Sequence, residues 1–126
     1  GRTLASVRMK RRATDIQFEH ETPEWGRVDI IAESADVGIY CLQIAPRATL
    51  PLHFHQIMYE SEFIVDDGLS LLEVDKPPRP LVAGETFTWP HHHVHGYQNN
   101  TDGWCRILCK DAPPFIPEDE VLWKQT

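Results

Sequence analysis

The stretch HFHQIMYESE places His53 and His55 one residue apart and follows them with Glu60 and Glu62. In a β-strand side chains alternate with period two, so each of these pairs shares a face. Two imidazoles aimed into one space repel once both are protonated. A divalent metal is what they usually share, because neutral imidazole is the commonest metal ligand. A carboxylate beside them completes a nitrogen and oxygen set suited to a transition metal. A second cluster lies further along, in GETFTWPHHHVHGYQNN. His91, His92 and His93 follow Pro90 and lead to His95. Three consecutive extended residues cannot all face one pocket, so His91–His93 are expected in a loop at its mouth. His92 or His93 is then a candidate proton-transfer group, since histidine titrates near neutral pH. Asn99 reads as a turn or strand-end residue rather than a ligand.

The elements that must position these residues are short and punctuated by proline and glycine. VDIIAE (28–33) and VGIYCLQIA (37–45) are β-like. PRATLP (46–51) reads as a loop. HFHQIMYESEFIVDDG (53–68) and LSLLEVD (69–75) read as strands joined at Asp66-Asp67-Gly68, a hairpin signal. DKPPRP (75–80) is a proline-rich turn. LVAGETFTWP, HHHVHGYQN and WCRILCK follow as further strands, with NNTDG (99–103) as a turn. The tail DAPPFIPEDEVLWKQT predicts an extended strap with a short helical turn. No segment sustains a 3.6-residue apolar period, and strands recur every 8–12 residues, which indicates an all-β sandwich or barrel.

The chain has 126 residues, of which 41% are hydrophobic, enough for one domain with a real core. Its division is read as an N-terminal arm over 1–27 and a single domain over 28–126. No apolar run approaches the roughly 20 residues that span a bilayer. GRTLASVRMKRR lacks the apolar segment of a signal peptide, so a cytoplasmic location is expected. The net charge of -7 is uneven. The first twelve residues carry Arg2, Arg8, Lys10, Arg11 and Arg12 and no acid, which leaves seven basic against nineteen acidic residues elsewhere. A body that acidic argues against nucleic-acid binding, which needs a positive surface. The basic arm reads as a solvated terminus. Cys41, Cys105 and Cys109 form no CxxC pair and read as buried free thiols.

Taken together, the two clusters resemble the paired motifs of the cupin family. The first motif sets H-x-H before a glutamate and a later glycine, here His53, His55, Glu60 and Gly68. The second sets a glycine, proline, histidine and asparagine at fixed spacing, here Gly84, Pro90, His95 and Asn99. The resemblance runs from about Ala45 to Lys110 and departs from the pattern twice. His92 stands where the second motif has a glycine. One extra residue separates Glu60 from Gly68, so counting forward from His55 selects Glu60 and counting back from Gly68 selects Glu62. Glu60 is preferred, because a turn absorbs an extra residue more easily than a strand does.

The resemblance implies a double-stranded β-helix, or jelly roll. It implies one divalent transition metal per chain (Fe, Mn, Ni, Cu, Co or Zn) held by His53, His55, Glu60 and His95, with Glu62 and His92 as further candidates for catalysis. Three nitrogens and one carboxylate leave open positions for a small polar organic substrate, such as a carboxylic acid. The implied function is a small metal-dependent enzyme, with a dioxygenase or other oxidoreductase first and a lyase or isomerase second. A small-molecule sensor without turnover is the alternative. A homodimer is implied too, with 28–45 expected as the pairing edge.

Overall fold

The computed structural model describes residues 18–124. The basic stretch of the arm lies outside the described residues. Two antiparallel sheets face each other. The first contains β1 (Glu19–Glu21), β2 (Gly26–Glu33), β3 (Gly38–Ile44), β10 (Cys105–Ala112), β5 (Tyr59–Ile64) and β8 (Thr86–Trp89), in that order across the sheet. The second contains β11 (Val121–Leu122), β4 (Thr49–Phe54), β9 (His95–Asn99), β6 (Leu69–Leu72) and β7 (Arg79–Pro80). β3 lies beside β10, and β5 lies between β10 and β8, so neighbours in space are distant in sequence. That is the jelly-roll arrangement of a double-stranded β-helix. No helix among the described residues is long and apolar enough to cross a membrane.

The alternation of β10 shows how sequence makes this barrel. Cys105, Ile107, Cys109 and Asp111 are buried, while Arg106, Leu108 and Lys110 between them are exposed. Ile107 pairs with Ile64 of β5. Both are fully buried in a cluster with Ile44, Leu50, Leu69, Leu71 and Tyr97. Each such side chain contributes about 1.5–3 kcal/mol by leaving water. Further along the same inward face, Cys109 pairs with Glu62 and Asp111 pairs with Glu60. One end of the barrel is therefore apolar core and the other is lined by acids and histidines. Asn99 closes the apolar end: its amide donates to the carbonyls of Ile44, Ala45 and Gly103 at 2.8–3.0 Å. It is a structural residue, as its strand-end position predicts.

Several boundaries differ from the sequence reading. β4 begins at Thr49, inside the stretch read as a loop, and ends at Phe54, so His53 and His55 do not sit on one continuous strand. β9 begins only at His95, and His91–His93 form the turn before it. β1 and the start of β2 fall within residues ascribed to the arm. β7 lies in the proline-rich turn. The segment 28–45 is not an open edge, because β2 pairs with β1 and β3, and β3 pairs with β2 and β10. Cys41 is only partly buried, whereas Cys105 and Cys109 are buried, and all three are free. The tail does form a strap. A 3-10 turn at Pro117–Asp119 leads into β11, which pairs with β4, and the Trp123 amide donates to the Leu52 carbonyl at 3.0 Å.

Candidate metal centre

His53 of β4 and His95 of β9 are direct cross-strand partners, reached after a register shift between Leu50 and His53. Their rings lie 4.6 Å apart. His55 follows the end of β4, yet its ring stays 5.2 Å from that of His53. Glu60 comes from the opposite sheet. Its Oε1 lies 3.3 Å from His95 Nε2 and 3.4 Å from His55 Nε2. Ligand atoms of His53, Glu60 and His95 all fall within 4.8 Å of one another. The four residues are buried, His95 completely. The strands that carry His53 and His95 thus belong to one side of the barrel and the strand that carries Glu60 to the other.

Main-chain carbonyls orient all three rings. His53 Nδ1 donates to Pro51 at 2.8 Å, His55 Nδ1 to Asp119 at 2.9 Å and His95 Nδ1 to His93 at 3.0 Å. A carbonyl only accepts, so each Nδ1 carries its proton, and in the neutral ring each Nε2 presents a lone pair. Lone pairs on His55 and His95 would then meet a carboxylate oxygen, which is unfavourable unless a metal ion or a second ring proton stands between them. His55 Nε2 is buried and has no hydrogen-bond partner among the described residues. The donor set therefore fits a metal ion.

The electrostatics agree. Burial pushes the Glu60 carboxyl up, but contact with His55 and His95 outweighs it and holds the group well below its ordinary range. Burial opposes protonation of His55, and Glu60 overrides it to raise His55 to about 9. The same contest raises His95. His53 has no such carboxylate contact; burial and then His95 lower it to about 4. In the absence of a metal the cluster draws protons to itself, as a cation site does.

Glu62 shares the face of Glu60 and has different partners. Its Oε1 accepts the Trp89 indole N–H at 2.5 Å and the Tyr97 hydroxyl at 2.6 Å. It lies 3.8 Å from His95 Nε2. Burial, then Glu60, raises it to about 7. β5 pairs in unbroken register with both β10 and β8, so the extra residue before Gly68 sits in the turn and not in the strand. His92 is exposed, with its ring against Phe54 and His91 and away from the cluster. Its φ of 68° is the left-handed conformation that explains why the motif has glycine there. His93 Nε2 meets Glu73 at 2.9 Å, and Trp89 stacks on His95 with ring centres 4.3 Å apart.

Asp111 and Asp119 stand outside the motifs, and Cys109, expected as a buried free thiol, lies among the acids. Asp111 is raised to about 9 by burial and then by Glu60, and the Cys109 thiol lies 3.4 Å from both Glu60 and Asp111. The period-two phase of WCRILCKD carries the signal for both. Asp119 accepts the amides of Gln56, Ile57 and Met58 on its carboxylate at 2.8–3.1 Å. It thereby shapes the turn after His55. Above Glu60 and His53 opens a cavity of about 280 Å³, walled by Trp25, Val28, Tyr40, Leu42 and Phe115.

No protein-family model and no curated protein matches the chain. Solved structures do. KdgF from Halomonas sp. is 18% identical with a TM-score of 0.69, covering 82% of this chain and 94% of that one. The polyketide cyclase RemF from Streptomyces resistomycificus is 17% identical with a TM-score of 0.69, covering 86% and 87%. An RmlC-like cupin from Shewanella frigidimarina is 20% identical with a TM-score of 0.66, covering 82% and 88%. With its two facing sheets and these structural matches, the chain has the double-stranded β-helix fold of the cupins.

Proposed function

We propose that the chain is a metal-dependent enzyme, with one divalent transition metal held by His53, His55, Glu60 and His95 and a small organic substrate in the adjoining cavity. One observation carries this reading. Three imidazoles are fixed by carbonyls through Nδ1, the Nε2 atoms of His55 and His95 meet the Glu60 carboxylate, His53 offers a ligand atom within 4.8 Å of Glu60 and His95, and His55 Nε2 is buried without a partner among the described residues. Such a metal supplies Lewis acidity and open coordination positions. The residues of the chain bind and orient. Trp89 and Tyr97 hold Glu62 against the cavity, and Asp111 and the Tyr40 hydroxyl also line it.

Proton-bearing side chains around the cavity favour a lyase or isomerase, which moves protons, as the first reading of the chemistry. This reverses the order drawn from the motifs. A dioxygenase or other oxidoreductase is second, supported by the same ligand set with its open positions. A homodimer is part of the proposal, with 28–45 removed as its pairing edge.

Elemental analysis of untagged protein beside His53→Ala tests the metal. About one transition-metal ion per chain in the wild type, lost in the variant, is expected. Absence of metal from both after reconstitution would move the chain to the sensor reading. Oxygen uptake during turnover of a candidate substrate would restore the oxidoreductase to first place.

A further inference from the structure

The cavity beside the histidines is lined by acids. Among the described residues that line it, six are acids and none is lysine or arginine. Glu60, Glu62 and Asp111 form a buried floor. Glu21, Glu33 and Glu120 belong to exposed positions at the rim. None of the three rim acids pairs with a lysine or arginine among the described residues. The paired arginines lie elsewhere, with Arg27 on Asp29, Arg47 on Asp102, Arg79 on Glu85 and Arg106 on Asp66. Between floor and rim the wall is apolar and partly aromatic, with Trp25, Tyr40 and Phe115. Tyr40 is fixed there, donating to Glu33 Oε2 at 2.7 Å and accepting the Phe115 amide at 2.9 Å. Glu60 of the floor lies 3.4 Å from His55 Nε2, which has no hydrogen-bond partner among the described residues.

Even with Glu62 and Asp111 left out of the balance, Glu21, Glu33, Glu60 and Glu120 outnumber the two charges of a divalent ion on the histidines. An anionic ligand would meet that field with no lysine or arginine among the described lining residues to receive it. A cation with an apolar surface meets carboxylates and aromatic faces together, the combination that receives alkylated ammonium groups. We propose that the cavity takes a small organic cation of the alkylammonium class, with Glu33 and Glu120 selecting it at the rim. The proposal rests on the reading of this cavity as the substrate chamber.

The test uses three probes of one shape on the metal-loaded full chain at low ionic strength. Choline is the cation. Its carbon isostere, with the nitrogen replaced by carbon, is neutral, and the anion of tert-butylacetic acid is negative. Calorimetric titration should show choline binding about tenfold or more tighter than the anion. Glu33→Gln combined with Glu120→Gln should bring choline close to its neutral isostere. Glu85→Gln, an acid paired with Arg79 away from the cavity, should change nothing. Equal or tighter binding of the anion overturns the proposal, as does absence of saturable choline binding or an equal loss in Glu85→Gln. Metal content measured on the same samples separates the two readings. Protein that takes up no metal yet prefers choline defeats the metal assignment alone, whereas loaded protein that prefers the anion defeats the charge selection alone.

Discussion

Glu60 and Glu62 stand two residues apart on one face of β5, and their partners separate them. Glu60 faces His55 and His95, while Glu62 receives Trp89 and Tyr97. Glu60→Gln should therefore weaken metal binding more than Glu62→Gln, by more than the 10–100-fold typical of an outer-shell loss. Competition against a chelator measures both. His53→Ala and His95→Ala should lose most of the metal and keep the β-rich circular dichroism spectrum. His92→Ala should keep its metal, because its exposed ring does not reach the cluster.

At the scale of elements, the tail strap governs the first motif. Asp119 binds three amides of the turn after His55 through its carboxylate and fixes the His55 ring through its carbonyl. Asp119→Ala should cost about 2–4 kcal/mol of stability, since charged acceptors of buried amides are among the stronger hydrogen bonds. It should also lower metal affinity, measured by denaturant melts and chelator competition. This contact marks where the sequence stops being legible. Most strands and the two motifs can be read locally, because alternation in WCRILCK, the spacing of His53, His55 and Glu60, and the spacing of Gly84, Pro90 and His95 each lie within a short window. The break after Phe54 cannot. HFHQIMYESEFIV has a continuous β composition, and what interrupts it is a residue more than sixty positions downstream. Asp111 is legible only through its phase with Cys105, Ile107 and Cys109, whereas its meeting with Glu60 depends on strand pairing.

For the whole molecule, the polar end of the barrel makes stability depend on pH. Without metal, the folded chain keeps the Asp111 proton to about 9, although the ordinary value is 3.8. His55 likewise holds its proton to about 9 against an ordinary 6.5. Between pH 7 and 9 the folded state therefore binds more protons than the unfolded state, and stability falls as pH rises. The expected loss is on the order of 1–3 kcal/mol across that window, followed by urea melts of the metal-stripped protein. Asp111→Asn should flatten the dependence, and a metal-loaded sample should lose the His55 part of it. A stripped wild type equally stable at pH 7 and 9 would contradict the protonation of this end.

Asp119 follows every residue of the histidine cluster in chain order. During synthesis the ribosome therefore releases His53, His55, Glu60 and His95 before the carbonyl that turns His55 inward has emerged. A nascent chain would present its complete donor set before β10 and β11 have joined their sheets. Final metal capture then belongs after translation of the tail, and an early stop upstream of residue 119 would yield a chain with all its ligands and no finished site.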